Sequence, residues 1–262
     1  MRYGSFNNCN LPPWVIASRH FNDNPHPLEI QGVKESNRFL FEKLAGIPDQ
    51  CERALFFNDF MSVKFHLHHW QEQSTDRARN SIRNNYLHFL KCWMIDSNSL
   101  SGAVLKRWVE SRMGITPTFH KQPIRDANGE AYFNYSVDVM NGSACTSAIQ
   151  SQLDLLFEYG QFELPRTYPG LKAIPLFRGT HDAEEYEIIE DLGNREQIVR
   201  MNNLVSFTCE EERAWEFGRT VWATSVPLSK IFFYSGLLPG SILRGESEYM
   251  IIGGEYRVRR LR

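Results

Sequence analysis

The stretch Arg244-Gly245-Glu246-Ser247-Glu248-Tyr249-Met250-Ile251-Ile252-Gly253 places two carboxylates directly before an apolar run. Side chains at positions i and i+2 of an extended chain point to the same face, so Glu246 and Glu248 are expected to face one site. Two anions held this close repel each other, and such pairs are typical of places where a cation or a reaction lies between them. A solvated surface strand carries similar pairs, so the motif alone leaves both interpretations open.

The apolar run belongs to a C-terminal region in which short β-rich segments are separated by glycine and proline. Before about residue 160 the pattern is helical instead, because apolar residues recur at steps of three and four. The β-rich segments predict strands at 173–177, 186–189, 198–207, 221–226, 231–234, 249–252 and 256–258. Helices are predicted at 35–44, 51–70, 101–113 and 143–159, together with a buried helical stripe formed by Ala78, Ile82, Tyr86, Phe89, Leu90 and Trp93.

This change of pattern predicts an α+β protein, with an α-rich N-terminal half packed on a C-terminal β-sandwich. The best boundary lies at 167–170, which divides the chain into an α-rich region at 1–166 and a β-rich region at 167–262. No low-complexity linker separates the halves, so one compact unit is the alternative.

Composition excludes several classes of function. The chain has 262 residues, a net charge of −2 and 42% hydrophobic residues, so no basic surplus predicts binding to nucleic acid. No apolar run approaches the roughly 20 residues that span a bilayer, and no secretory signal is recognisable at the N-terminus. The odd cysteine count without a Cys-x-x-Cys motif favours reduced thiols in a cytoplasmic protein. The cysteines are Cys9, Cys51, Cys92, Cys145 and Cys209.

Two segments upstream of the paired glutamates carry polar residues at strand ends. Ile174-Pro175-Leu176-Phe177-Arg178-Gly179-Thr180 ends an apolar strand with an arginine, whose five-donor fork suits a phosphate or pyrophosphate. Asn203-Leu204-Val205-Ser206-Phe207-Thr208 reads as a strand that runs directly into a short amphipathic helix. A surface arginine and a helix N-cap at Thr208 explain these residues equally well when each segment is taken alone.

The order of these motifs, an arginine, then Ser-x-Thr, then Glu-x-Glu, resembles the ADP-ribosyltransferase signature of the cholera-toxin-like group. The resemblance implies that Arg178, followed by Gly179, binds the NAD phosphates. It also implies that Glu248 is the catalytic residue and that Glu246 marks enzymes that modify arginine. The serine motif, which braces the pocket and the catalytic glutamate, falls on Ser206, Phe207 and Thr208.

Longer stretches resemble one family of that group, the NAD+–dinitrogen-reductase ADP-ribosyltransferases. They are residues 21–41 (FNDNPHPLEIQGVKESNRFLF), 102–123 (GAVLKRWVESRMGITPTFHKQP) and 246–258 (ESEYMIIGGEYRV). The family implies NAD+ as substrate, an arginine of dinitrogenase reductase (the nitrogenase iron protein) as acceptor, and a PII signalling protein as regulator. No metal is predicted, because no set of ligands occurs at a recognised spacing. Phe207 departs from the wider superfamily, in which many relatives have threonine at this position; Ser206 is retained.

The segment at 234–245 lies just ahead of the paired acids and is expected to face the acceptor protein, with Tyr234 and Leu237 as candidate contacts. Three alternatives stay open. The first is an NAD glycohydrolase, which the Glu-x-Glu pair disfavours. The second is an arginine ADP-ribosyltransferase with another protein target. The third is a non-catalytic NAD-binding module, which has no need of a repelling acid pair.

Other polar clusters are weaker candidates. His66, His68 and His69 lie in a predicted helix without an acidic or cysteine partner at a recognised spacing, so surface or partly buried histidines are favoured over a metal site. His120, beside Lys121, is a possible ligand contact that its chemistry alone does not support. The acidic run at 182–190 is read as a solvated face.

Overall fold

The computed structural model describes residues 3–4, 6–67, 85–143, 148–181, 186–239 and 247–261. Helices fill most of the first 167 residues and strands most of the rest, which confirms the predicted α+β class. In this part of the chain the α-helices are α1 (Pro13–Ile16), α2 (Arg19–Asp23), α3 (Val33–Ser36), α4 (Arg38–Ala45), α5 (Gln50–Lys64), α6 (Tyr86–Ile95), α7 (Leu100–Met113), α8 (Glu130–Ser143), α9 (Ala148–Thr167) and α10 (Glu211–Ala214).

The strands of the described residues form two antiparallel sheets. A two-stranded hairpin joins β1 (Phe119–His120) to β2 (Gln122–Pro123). The main sheet has the order β4-β5-β3-β6-β8-β7, and β5 also pairs along its length with β8. Because of the additional pairing between β5 and β8, the two layers of the expected sandwich belong to one continuous hydrogen-bonded sheet. Its strands are β3 (Ala173–Thr180), β4 (Glu187–Gly193), β5 (Glu196–Thr208), β6 (Thr220–Pro227), β7 (Ile231–Tyr234) and β8 (Glu248–Leu261).

The last strand, β8, is longer than the sequence predicts. The two segments predicted at 249–252 and 256–258 are one strand that continues through Gly253 and Gly254. Neither position has room for a side chain, because a Cβ at Gly253 would lie 1.6 Å from the Asn202 carbonyl oxygen and one at Gly254 would lie 2.5 Å from that of Ala17. The glycines therefore mark a close approach of neighbouring backbone rather than a turn.

The helical predictions hold at the centre of each segment, although Asn37 divides the helix predicted at 35–44 into α3 and α4. The predicted helix at 51–70 ends at Lys64, and His66 follows with a positive φ of 54°. Helix α8 was not predicted: Tyr135 is its one buried residue, so it shows no apolar face of helical period. The predicted stripe is confirmed for Tyr86, Phe89, Leu90 and Trp93, which are all buried. Ala78 and Ile82 lie outside the described residues.

One hydrophobic cluster contains residues from both sides of the predicted boundary. Leu156 and Phe157 of α9 belong to it, as do Phe232 and Phe233 of β7. The ring of Trp108 on α7 lies 4.7 Å from that of Phe232, measured between centroids. The boundary at 166/167 falls at the last residues of α9, and the division into two regions stays a prediction.

A buried ion pair links two helices within this core. Arg53 of α5 donates through Nε and Nη2 to both carboxylate oxygens of Glu163 on α9, at 2.7 and 2.8 Å. Their side chains are 7% and 0% exposed. We expect Glu163→Gln to lower the free energy of unfolding by about 3–5 kcal/mol, because it leaves a buried guanidinium without its counter-charge.

Denaturant unfolding measures this effect, and Glu42→Gln is the matched control. Glu42 pairs with Arg38 on the exposed surface of α4, where such a pair contributes about 0.3–0.5 kcal/mol. Equal losses in the two variants would contradict the prediction.

A second buried charge, Lys230, predicts a pH-dependent stability. Its Nζ donates to Asn22 Oδ1 at 3.1 Å and lies 4.4 Å from the centroid of the Tyr256 ring. Burial lowers the pKa of Lys230 from 10.5 to about 7. The negative charge of the nearby Glu255 acts in the opposite direction but offsets only part of this decrease. The desolvation cost is therefore fully present below about pH 7. It is relieved as the pH rises towards 10.5, because the folded state loses the proton first.

We expect Lys230→Met to raise the free energy of unfolding at pH 7 by about 1–3 kcal/mol. Its advantage over the wild type should shrink as the pH is raised from 7 to 9.5. Urea titrations of both proteins at several pH values measure the difference. An advantage that stays constant over this range would show that Lys230 does not titrate there.

Across the described ranges, none of the helices combines the length and the apolar character that crossing a membrane requires. Cys9, Cys51, Cys92 and Cys209 are free thiols, whereas Cys145 lies outside the described residues.

Candidate active site

The arginine and serine motifs and Glu248 meet where three strands of the main sheet converge. Strand β3 pairs with β5 through Phe177 and Thr208, and Thr208 in turn pairs with Glu248 of β8. Ser206 pairs with Met250, so Ser206 and Glu248 are diagonal neighbours, a relation that long side chains bridge. Pairing at one corner of the sheet thus unites residues that lie 70 positions apart in the chain, from Arg178 to Glu248.

A cavity of about 440 Å³ opens at this corner, within the usual range for small-molecule sites. All the predicted cofactor-binding residues line it, namely Arg178, Gly179, Ser206, Phe207 and Thr208, and Glu248 does so as well. Residues of α6 and the residues just after it form another part of the wall: Trp93, Met94, Ile95 and Ser97. A larger cavity of about 580 Å³ lies elsewhere, and none of the predicted site residues that the structure describes lines it.

Hydrogen bonds to Tyr186 and Ser206 hold the guanidinium of Arg178 against the cavity wall. Nε donates to the Tyr186 hydroxyl at 2.5 Å, and Nη1 donates to the backbone carbonyl of Ser206 at 2.6 Å. The Tyr186 ring is itself fixed by an edge-on contact with Trp222, at 4.9 Å between centroids. These contacts fix the orientation of the planar guanidinium. A guanidinium in a fixed orientation can bind a pyrophosphate through paired hydrogen bonds, which a mobile charge cannot do as well.

The carboxylate of Glu248 is anchored by the serine motif. Ser206 Oγ donates to Glu248 Oε1, and Glu248 is only 6% exposed. The Ser206 hydroxyl also accepts a hydrogen bond of 2.8 Å from the indole Nε1 of Trp93. The result is a chain of donors that runs from the helical region to the carboxylate.

Two glycines allow the segment after β5 to close over the end of β3. A Cβ at Gly179 would lie 1.9 Å from the carbonyl oxygen of Ala214, and one at Gly218 would lie 2.4 Å from the backbone of Thr180. This close packing brings Phe217 to the cavity. Thr208 Oγ1 accepts from the backbone N–H of Glu210 at 3.2 Å, so Thr208 stabilises the turn into α10, as expected for a hydroxyl at a helix start.

Ser247, between the two glutamates, is tied to the same segment. Its Oγ donates to Glu210 Oε1 at 2.5 Å, and its φ of 43° is unusual for a residue other than glycine. Glu246 lies outside the described residues, so its predicted role in acceptor recognition stays a prediction.

The two other predicted acceptor contacts lie inside the core. Tyr234 is 4% exposed and Leu237 is 0% exposed. Tyr234 stacks on Tyr249 and shares a hydrogen bond with Thr167 Oγ1 at 3.2 Å. Burial raises the pKa of Tyr234 to about 12, so the phenol is neutral. Because apolar packing buries both side chains, they offer no surface for a docked protein, and the expected contact is corrected accordingly.

Among the histidine candidates, His120 belongs to a buried polar cluster. His120 is 2% exposed, and its Nε2 lies 3.0 Å from Asp138 Oδ2. Burial and the cation of Lys106 lower its pKa from 6.5 to about 4. His66 follows the end of α5, while His68 and His69 lie outside the described residues. Among the described residues, no group of three or more histidine, cysteine, aspartate or glutamate side chains could hold a metal ion.

Sequence reasoning missed the contribution of α6 and of Tyr186 to the site. Trp93 was assigned to the buried stripe of a helix, which is correct, but the period of a stripe does not show where an indole N–H points. The sequence predicts Tyr186 only as the first residue of a strand. No spacing or motif could have linked either residue to Arg178 or Ser206, because both contacts depend on packing between distant segments.

Comparisons with known proteins identify the family to which this chain belongs. The model of the family described as dinitrogenase reductase ADP-ribosyltransferase matches residues 6–260. The NAD(+)–dinitrogen-reductase ADP-D-ribosyltransferase of Rhodospirillum rubrum is 41% identical over 259 residues, which cover 97% of this chain and 94% of the relative. No solved structure matches the chain. The chain belongs to the dinitrogenase reductase ADP-ribosyltransferase family.

Proposed function

We propose that this protein transfers ADP-ribose from NAD+ to an arginine of dinitrogenase reductase, releases nicotinamide and thereby switches off nitrogen fixation. Family membership and the name of the Rhodospirillum rubrum relative support the reaction and the acceptor. The observation that carries the proposal is the meeting of Arg178, Ser206 and Glu248 around one cavity.

Cleavage of NAD+ breaks the bond between C1′ of the ribose and the nicotinamide nitrogen. The electron pair goes to that nitrogen, neutral nicotinamide leaves, and positive charge develops on the ribose. A carboxylate in a largely buried site stabilises such an oxocarbenium-like transition state, as in glycosidases. Glu248 takes this role, Ser206 orients it, and Arg178 holds the pyrophosphate. Gly179, Phe207 and Thr208 line the same cavity, where they would contact the cofactor.

Transfer forms a new bond between C1′ and a guanidinium nitrogen of the acceptor, which must lose a proton. A guanidinium has a pKa above about 12, so it is a poor nucleophile at neutral pH. Glu246 pairs with the incoming arginine, orients it and takes its proton as the bond forms. Once attached, the bulky and charged ADP-ribose blocks a protein-docking surface by steric and electrostatic clash.

Location and regulation are further parts of the proposal. The free thiols in the described part of the chain support a cytoplasmic protein. Regulation by a PII signalling protein rests on the family resemblance alone.

The test incubates the purified protein with labelled NAD+, with and without purified dinitrogenase reductase, alongside Glu248→Gln. We expect label on an arginine of dinitrogenase reductase with the wild type and none with the variant. Nicotinamide release without protein labelling would favour an NAD glycohydrolase or another acceptor. NAD+ binding without any turnover would favour a non-catalytic NAD-binding module.

A further inference from the structure

We infer that Trp93 is a positioning residue that orients Glu248 through the Ser206 hydroxyl. Trp93 lies near the end of α6, outside the strands that carry the predicted motifs. Its Nε1 donates to Ser206 Oγ, and Ser206 Oγ donates to Glu248 Oε1. The inference rests on the proposed function only in taking Glu248 as the reacting carboxylate.

The chemistry of the three groups fixes the direction of this chain. An indole N–H can only donate, and an ionised carboxylate can only accept. A serine hydroxyl has one proton and two lone pairs. With one lone pair of Ser206 engaged by Trp93, the hydroxyl proton is directed at Glu248. Without the indole donor, the hydroxyl can rotate about its Cβ–Oγ axis and the carboxylate loses a constraint on its orientation.

Packing holds the indole in place. Trp93 is 3% exposed, and the Nζ of the buried Lys106 on α7 lies 5.9 Å from the centroid of its ring. Lys106 is anchored by donating to Asn98 Oδ1 and to the Phe119 carbonyl, both at 3.0 Å. The indole is thus largely shielded from solvent, and hydrogen bonds in such an environment are stronger than in water.

The helical region therefore supplies part of the catalytic geometry. The same end of the helix that carries Trp93 brings Met94 and Ile95 to the cavity wall. A shift of α6 would alter the direction of the Ser206 hydroxyl without touching the strands that carry Arg178 and Glu248.

The kinetic test compares Trp93→Phe with Ser206→Ala and with the double variant. Nicotinamide release from NAD+ in the absence of an acceptor isolates the cleavage step. We expect Trp93→Phe to lower kcat by about 10-fold, which is typical for loss of an orienting partner, with less than about 3-fold change in KM for NAD+. The double variant should be no slower than Ser206→Ala, because both changes break one chain.

The pH profile gives a readout that a merely structural role would not move. A hydrogen bond donated to a carboxylate stabilises its ionised form. In Trp93→Phe the Ser206 hydroxyl is free to turn away from Glu248, which weakens the hydrogen bond from Ser206 to the carboxylate. The acidic limb of the kcat/KM profile should therefore shift to higher pH. An unchanged limb, together with additive losses in the double variant, would overturn the inference.

Trp108→Phe is the matched control. Trp108 is also buried, and its Nε1 donates to the carboxylate of Asp154 at 2.8 Å, but Trp108 does not line the cavity of Glu248. It should lose stability while keeping the wild-type pH profile and KM. A shift of the acidic limb equal to that of Trp93→Phe would show that the effect is general loss of packing.

A measurement without turnover separates this inference from the proposed function. Indole N–H signals of the ¹⁵N-labelled protein come from six tryptophans, and the Trp93 signal is identified by its loss in Trp93→Phe. We expect this signal to shift in Ser206→Ala and to titrate with Glu248, the titration being absent in Glu248→Gln. No NAD+ cleavage by the wild type would count against the proposed function, while a Trp93 signal indifferent to both changes would refute the positioning role.

Discussion

Glu248→Gln is expected to lower both nicotinamide release and transfer to the acceptor by at least about 10²–10³-fold, the usual cost of removing one group that stabilises developing charge. Glutamine keeps the size of the side chain but not its negative charge. The carboxylate is 6% exposed and anchored by Ser206, so little water can replace the lost stabilisation. Rates of nicotinamide release with saturating NAD+ measure the effect.

Glu255→Gln is the control for this prediction. Glu255 lies on the same strand and pairs with Arg200 at 3.0 Å, away from the cavity. We expect its turnover to match the wild type, and folding of both variants is checked by circular dichroism. Near-normal NAD+ cleavage by a folded Glu248→Gln protein would remove Glu248 from the mechanism.

Glu246→Gln is expected to separate the two half-reactions. Cleavage of NAD+ to free ADP-ribose should stay within about 3-fold of the wild type, while transfer to arginine should fall by at least about 100-fold. The physical reason is that water needs no carboxylate to align it with the ribose, whereas a guanidinium must be oriented and must lose a proton. Parallel assays of nicotinamide release and of labelled acceptor measure both steps in one sample.

The same control variant, Glu255→Gln, should retain both steps. Agmatine, a small guanidine, replaces the protein acceptor in a second assay. Equal losses with agmatine and with dinitrogenase reductase would assign Glu246 to guanidinium chemistry. A loss restricted to the protein acceptor would assign it to docking instead, and an unchanged transfer rate would contradict the proposed division of labour.

Much of the fold follows from local patterns. Apolar residues at helical period predicted the buried face of α6, and β-rich segments predicted every strand of the main sheet, with β8 divided in two. The division at Gly253-Gly254 failed because glycine there serves a close backbone approach to Asn202 and Ala17, and nothing local distinguishes this use from a turn. Helix α8 escaped prediction because a helix with one buried residue carries no apolar period.

The burial of Tyr234 and Leu237 shows a second limit of prediction from the sequence, which concerns the side of an element that is exposed. Proximity along the chain to the paired acids suggested an exposed acceptor surface. Aromatic stacking between Tyr234 and Tyr249 and the complete burial of Leu237 turn these side chains inward instead. Which face of a short strand or turn is covered depends on the neighbouring elements, and these are distant in sequence.

In the candidate site, too, some features were predictable from the sequence and others depend on tertiary packing. The order of Arg178, Ser206 and Glu248 is recognisable in the sequence because it resembles the order of motifs in the cholera-toxin-like ADP-ribosyltransferases. A motif order can be compared without knowing how the chain packs. Their meeting at one corner depends on the Phe177–Thr208 and Thr208–Glu248 pairings. The hydrogen bond from Trp93 to Ser206 depends on how α6 packs against β5. Residue types and periods are local properties, whereas the direction of one N–H bond is set by the packing of the whole core.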